Sequence, residues 1–210
     1  MRNKNSTPKR PGRPKSEAKK RQINRAAIEL FIRHGYEGTT MDRVAETANV
    51  SKQTVYSHFE SKEELFSAAV QQLCDAMGLP SDPDAEERPL PVLLAGIGRG
   101  FLRLLTSDEA VRLYRIVVGN ATNHPDVARM FYETGPRTFI RRMAALLAQR
   151  AARGELAVHN PELAAAQFFS MMRGELHMRV ALGMQARLKP KEIDNYVDDC
   201  VAVFLRGHSG

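Results

Sequence analysis

The chain has 210 residues, 43% of them hydrophobic, so it can bury a core without staples; its two cysteines, Cys74 and Cys200, form neither a disulfide framework nor a metal spacing. The formal charge is +7 and unevenly placed: residues 1 to 25 hold ten of the 31 Lys/Arg and one of the 24 Asp/Glu, leaving 21 bases against 23 acids in the remainder. The excess is therefore N-terminal and points to an anionic partner, nucleic acid or membrane surface, or to a solvated tail. No apolar run is long enough to span a membrane, and no apolar segment follows the basic start as in a secretory signal, so a cytoplasmic chain is expected.

Residues 1 to 15 are polar, basic and broken by prolines, and are predicted to be a disordered tail. A helical pattern starts near Ser16. Ile23, Ala27, Leu30 and Phe31 share one face of it, and Gly35 is a stop in the left-handed region. Thr39-Thr40 is placed to cap a second helix, buried through Met41, Val44, Ala45 and Ala48. Asn49 follows as a turn residue that tolerates positive φ, and Ser51 caps a short third helix through about His58. The run Ser61-Lys62-Glu63-Glu64 is a capping box opening a fourth helix with Leu65, Phe66, Ala69 and Val70 on its apolar side.

Gly78 to Pro91, rich in proline and acid, is a linker or loop. Further helices are predicted over about 91 to 106, 108 to 120, 126 to 152, 161 to 184 and 190 to 206. Gly135-Pro136 kinks or splits the third of these, and Asn160-Pro161-Glu162 caps the fourth. With no stretch reading as strand, the fold class is all-α. Three domains are expected: a tail over 1–15, a small helical unit over 16–62 and a larger helical unit over 63–210.

Helix, three-residue turn and a second helix that is polar outside is the helix-turn-helix plan for reading the major groove. The open side of "SKQTVYSHF" carries hydroxyls, amides and a cation. The helix starts at Thr40 and Ser61-Lys62 add amides and dipoles suited to phosphate. The stretch "GYEGTTMDRVAETANVSKQTVYSHFESKEELF", Gly35 to Phe66, resembles the DNA-binding domain of the TetR family of transcriptional regulators. It departs from the family pattern at Asn49, where glycine is usual. The resemblance implies phosphate contacts at Thr40 and Lys62 and a groove-facing set of Lys52, Gln53, Thr54 and Tyr56, with Ser51, Ser57 and His58 at its margins. Gln53 has the amide that can pair with adenine. "KRPGRPK", Lys9 to Lys15, resembles an AT-hook, with Arg13 in a narrow minor groove.

"RLYRIVVGNATNHPDVARMFYETGPR" and "NPELAAAQFFSMMRGELHMRVALG" resemble the C-terminal domain of the AefR-like branch of that family. A pliable cavity is expected between the middle helices, lined by Phe101, Tyr114, Met130, Phe131, Phe168 and Met172, with Arg173 and His177 as polar anchors. A seam of Ile193, Val197, Cys200 and Phe204, with Phe169 and Leu176 of the preceding helix, is expected to form a four-helix dimer interface. No catalytic or metal motif is present, and no cofactor is implied. The expected function is a dimeric repressor on a palindromic operator of double-stranded DNA, released by a small apolar or aromatic molecule. It would be cytoplasmic, and associated with the nucleoid when bound. An activator of the same fold, an architectural DNA protein resting on the tail alone, and a small-molecule carrier or enzyme are the rivals.

Overall fold

A computed structural model describes residues 16–75 and 87–209. The basic tail with Arg13, and most of the acidic loop, lie outside the described residues. The rest is helical: α1 Glu17–His34, α2 Met41–Thr47, α3 Lys52–His58, α4 Lys62–Asp75, α5 Leu90–Leu105, α6 Asp108–Asn120, α7 Pro125–Thr134, α8 Pro136–Ala152, α9 Pro161–Ala181 and α10 Pro190–Gly207.

Local chemistry sets the helix ends. The Thr40 hydroxyl accepts from the Arg43 amide at 3.3 Å, Ser51 from Thr54 at 3.1 Å, and the Asn160 side chain from Leu163 at 3.0 Å. Asn49, in the turn between α2 and α3, takes a φ of 47°. Gly35 ends α1 with a φ of 70°, but its ψ of −177° is extended rather than left-handed helical. The predicted box at Ser61 forms with a shift: the Ser61 hydroxyl accepts from the Glu64 amide, and the Glu64 carboxylate takes the amide of Glu60, one residue before the expected one. At Gly135-Pro136 the proline has no N–H to continue the ladder, so the predicted third helix divides into α7 and α8.

Two cores result. In the first, Ile23, Ala27, Phe31, Val44, Val55 and Phe59 bury against Leu65, Phe66, Ala69 and Val70 of α4 and against Leu113 and Val117 of α6. The boundary expected at residue 62 therefore cuts a continuous core. In the second, α5 packs against α9 and α10, and α8 packs against α9. A Cβ on Gly98 would come within 2.9 Å of both Met172 and Val197, so α5 reaches the α9–α10 pair as closely as a glycine allows. Arg99 of α5 locks the same contact from its rim, bonding Asp194 and Asp198 at 2.7 Å each.

That packing corrects the expected dimer seam. Phe169, Leu176, Ile193, Val197 and Phe204 are buried within one protomer, and Cys200 is half-buried with its thiol toward the Met171 carbonyl. Their apolar stripe is covered by α5, itself apolar on most sides, so the chain needs no second copy to hide it. Asp at position 197 is thus expected to unfold the protein, not to yield monomers.

Within α9, Gly174 leaves the helical region at φ 23° and ψ −146°. The Tyr196 hydroxyl of α10 sits in the break, donating to the Met171 carbonyl at 2.8 Å. A side chain has entered the helix ladder, a recognised cause of kinks. Gly174→Ala places a Cβ on that hydroxyl. It is expected to cost about 1–3 kcal/mol, and less in a Tyr196→Phe background. Urea denaturation of the four-member cycle measures this; strictly additive losses would show that glycine and hydroxyl are not coupled.

Candidate DNA interface and ligand cavity

The α2–turn–α3 unit is held from behind by Val44, Ala45, Val55 and Phe59. Its outer side exposes Thr40, Ser51, Lys52, Gln53, Tyr56 and Ser57; Thr54 and His58 are half-buried. Tyr56 stands out because 44% of a large aromatic surface is left in water beside a packed core. Some of these groups are already engaged. Lys52 reaches across the turn to Asp42 at 2.7 Å, and that bond and charge raise its pKa. The Ser51 and Thr54 hydroxyls share a bond of 2.8 Å, and the Ser57 hydroxyl donates to the Thr54 carbonyl. The Gln53 amide and the Tyr56 phenol have no hydrogen bond to any described residue.

Lys62 is placed differently from expectation. Its ammonium donates to the Tyr36 carbonyl at 3.0 Å and lies 4.1 Å above the centre of the Tyr36 ring. The Tyr36 hydroxyl donates to Glu63 at 2.9 Å, and its ring packs against Phe31 and Phe66. Burial first, and then the Glu63 carboxylate, raise the Tyr36 pKa far above that of an ordinary phenol. Lys62 thus clamps the loop after α1 onto α4, and the start of α4 is occupied by Ser61 and Glu64. Fewer donors remain for a phosphate there than the sequence suggested. Tyr36 was missed because an aromatic residue in a short Gly-flanked loop carries no periodic signal. Exposed Lys19, Lys20, Arg21 and Arg25 of α1 add positive charge to this unit.

A second feature opens between the two cores. It is a cavity of about 300 Å³ bounded by α4, α5, α6, α7, α8 and α9. Of the expected lining residues, Phe101, Tyr114, Phe131, Arg173 and His177 reach it; Met130 packs into the first core, and Phe168 and Met172 are fully buried in the second. Periodicity marks those three as buried but not in which direction. Phe169, assigned to the dimer seam, instead forms cavity wall with Phe139. Val70, Leu73 and Cys74 of α4 also line it; no local pattern shows that α4 reaches so far.

The polar part of the lining is a stripe along α9, Ser170, Arg173 and His177, with Tyr114 from α6 meeting His177 edge-to-face at 5.2 Å. Burial, helped by the charge of Arg173, pushes the His177 imidazole down to about 4. It is therefore neutral near pH 7. Burial likewise pushes the Cys74 thiol up to about 12, so it is an inert wall atom and not a nucleophile. Among the described residues no group of three His, Cys, Asp or Glu is placed to hold a metal ion, and no single helix is long and apolar enough to cross a membrane.

Comparison with known proteins follows the same division. Residues 23–69 match the bacterial regulatory proteins of the TetR family, and residues 93–208, more than half of the chain, match the C-terminal domain of AefR-like transcriptional repressors. The chain belongs to the TetR family. The flavonoid-responsive regulator FrrA, a solved structure, is 33% identical, with a TM-score of 0.73 over 92% of this chain and 98% of its own. The uncharacterized HTH-type transcriptional regulator YhgD of Bacillus subtilis is 44% identical over 73 residues, and the HTH-type transcriptional repressor SCO4008 of Streptomyces coelicolor is 40% identical over 70. These two alignments cover 35% and 32% of this chain and only 38% and 36% of the relatives' own lengths.

Because folded His177 takes its proton near pH 4 and an unfolded histidine near 6.5, the unfolded chain binds more protons between those values. Stability present above pH 6.5 is lost as the pH falls toward 4. Thermal melts from pH 7 to 4.5 are expected to fall less steeply for His177→Asn than for the unchanged protein. Equal slopes would mean that the imidazole is not held neutral.

Proposed function

We propose that this TetR-family member is a cytoplasmic transcriptional regulator that binds a two-fold-symmetric operator as a homodimer and changes its grip when a small aromatic molecule fills the cavity. The observation that carries this reading is the double duty of α4: Leu65 and Phe66 hold the helix-turn-helix unit, while Val70, Leu73 and Cys74 of the same helix wall the cavity. A molecule wedged against the end of α4 acts on a lever whose other end is clamped to Tyr36.

In this reading Gln53 and Tyr56 meet base edges and Thr40, Lys52, Ser51 and Ser57 meet phosphates, with His58 and Lys62 serving to position them. Lys52 exchanges Asp42 for a phosphate on binding. Two such units in a dimer face half-sites about one helical turn apart, so a small change in their separation releases one of them. Repression is the simplest outcome of occupying an operator, though the operator's position, and not the fold, sets the sign. The dimer face is assigned to apolar side chains left open on and after α9 and on α10: Leu163, Met178, Leu182, Met184 and Val203, each at least half exposed. The aromatic character of the lining, and the flavonoid response in the name of the relative FrrA, support an aromatic effector.

The test is selection of bound sequences from a random DNA pool at near-physiological salt. An enriched palindrome is expected. Binding without enrichment, fading smoothly as salt rises, would replace this reading with an architectural protein working through its basic segment. On the selected site, Gln53→Ala and Tyr56→Ala are each expected to cost about 1–3 kcal/mol of affinity with melting unchanged, as both are exposed. Met178→Asp combined with Leu182→Asp is expected to convert dimer to monomer in sedimentation velocity. A surviving dimer would put the interface elsewhere.

A further inference from the structure

The cavity has a charge asymmetry that apolar size alone does not explain. Its described lining holds one cation, Arg173, and no aspartate or glutamate. Two other polar groups there are uncharged at neutral pH: His177 is held neutral by burial, and burial keeps the Cys74 thiol protonated. Every other arginine of α9 is spoken for: Arg179 pairs with Glu175 and Glu192. Arg173 has no hydrogen bond or ion pair with any described residue. Glu175, the carboxylate nearest in sequence on α9, is turned to Arg179 instead.

Arg173 lines the cavity and is itself exposed, so water solvates its guanidinium until an anion takes the place of that water, and the apolar wall beside it strengthens the attraction for such an anion. The guanidinium fork matches a carboxylate in two parallel bonds. The remaining wall selects the body of the molecule: Phe101, Phe131, Phe139, Phe169 and Tyr132 present ring faces and edges, and the volume of about 300 Å³ suits a compact ring system. Ser170 and neutral His177, on the same side of α9 as Arg173, offer neutral hydrogen bonds next to the charge.

We propose that the effector is an aromatic carboxylate, its rings held among these aromatic side chains and its carboxylate paired with Arg173. The proposal rests on the cavity reading above and adds the charge of the molecule. A positively charged aromatic amine is repelled by the same residue, and a neutral aromatic binds through its rings alone.

The experiment is isothermal titration of the full-length protein at pH 7.5 with three probes of one shape: 2-naphthoate, its methyl ester, and 2-naphthylmethylammonium. N-phenyl-1-naphthylamine, a neutral dye, reports cavity occupancy whatever the charge preference. The acid is expected to bind at least tenfold more tightly than the ester, and the ammonium most weakly. Arg173→Gln is expected to bring the acid down to the level of the ester and leave the ester unchanged, and Arg173→Lys to keep part of the preference. Equal binding of acid and ester to the unchanged protein overturns the charge assignment and leaves the cavity reading standing. So does an equal loss of both in Arg173→Gln, which would make Arg173 a structural residue. If neither the dye nor any of the three probes binds a protein with a native melt, the cavity reading itself falls and this proposal falls with it.

Discussion

The structure depends on one shared element. α4 fills the first core with Leu65, Phe66, Ala69 and Val70, and its last turn, through Cys74, also packs against the second. Toward the N-terminal unit it contributes Leu65, Phe66 and Ala69, and buried Asn24 of α1 ties to it by donating to the Ala68 carbonyl and the Gln72 side chain. Asn24 is a buried polar group whose bonds exist only if α1 and α4 keep their present register, so sliding one past the other leaves an amide unsatisfied. Toward the larger unit, Val70 borders the cavity and also meets the α7–α8 break, where a Cβ on Gly135 would come within 3.4 Å of it. Motion of α4 is therefore resisted by directional bonds on one side of the helix and by close packing on another.

That arrangement suits a switch better than a hinge loop would. Packed interfaces move between discrete arrangements instead of deforming continuously. Only a modest bias is needed, since a tenfold change in DNA affinity corresponds to about 1.4 kcal/mol. The seam between the units is also wider than α4. Leu113 and Val117 of α6 enter the N-terminal core, and His124 at the start of α7 sits 3.5 Å from Glu37. The helix-turn-helix unit is thus braced by α4, α6 and α7, and all three border the cavity, through Val70, Tyr114 and Phe131.

How much of this was legible in sequence follows from how local each signal is. Caps and stops depend on a few adjacent residues, so Thr40, Ser51, Asn160, Gly35 and the Gly135-Pro136 break could be read directly. The exposed face of α3 was legible for the same reason: once Val55 and Phe59 are buried, helical geometry fixes where Gln53 and Tyr56 point. The larger unit was legible as helices but not as contacts. Val197 and Phe204 form a clean apolar seam, and a seam says only that something covers it; α5, about a hundred residues earlier, turned out to do so. Met130, Phe168 and Met172 illustrate the same limit for the cavity. Lys62 shows a further one, since a cation at a helix start attracts a phosphate or a nearby ring and carbonyl equally well, and only the fold brings Tyr36 within reach.

The kink in α9 connects these separate surfaces. Straight, a helix of this length would carry one continuous set of neighbours along each side. With Tyr196 lodged at Gly174, the segment before the break packs through Phe168, Phe169 and Met172 into the second core, and the segment after it turns His177 to Tyr114. The later segment is anchored by its own contacts: Arg115 of α6 donates to the Val180 and Ala181 carbonyls, and Arg179 binds Glu192 of α10. Arg173 stands immediately before the break and exposed Met178 shortly after it. A molecule drawn to Arg173 would therefore press where the ladder of α9 is already open, and Met178, one of the side chains proposed for a partner subunit, lies on the segment beyond. On the proposed assignments, the cavity and part of the intersubunit surface share one bent helix, as the cavity and the helix-turn-helix unit share α4, and an effector would need no long relay of side chains to reach either.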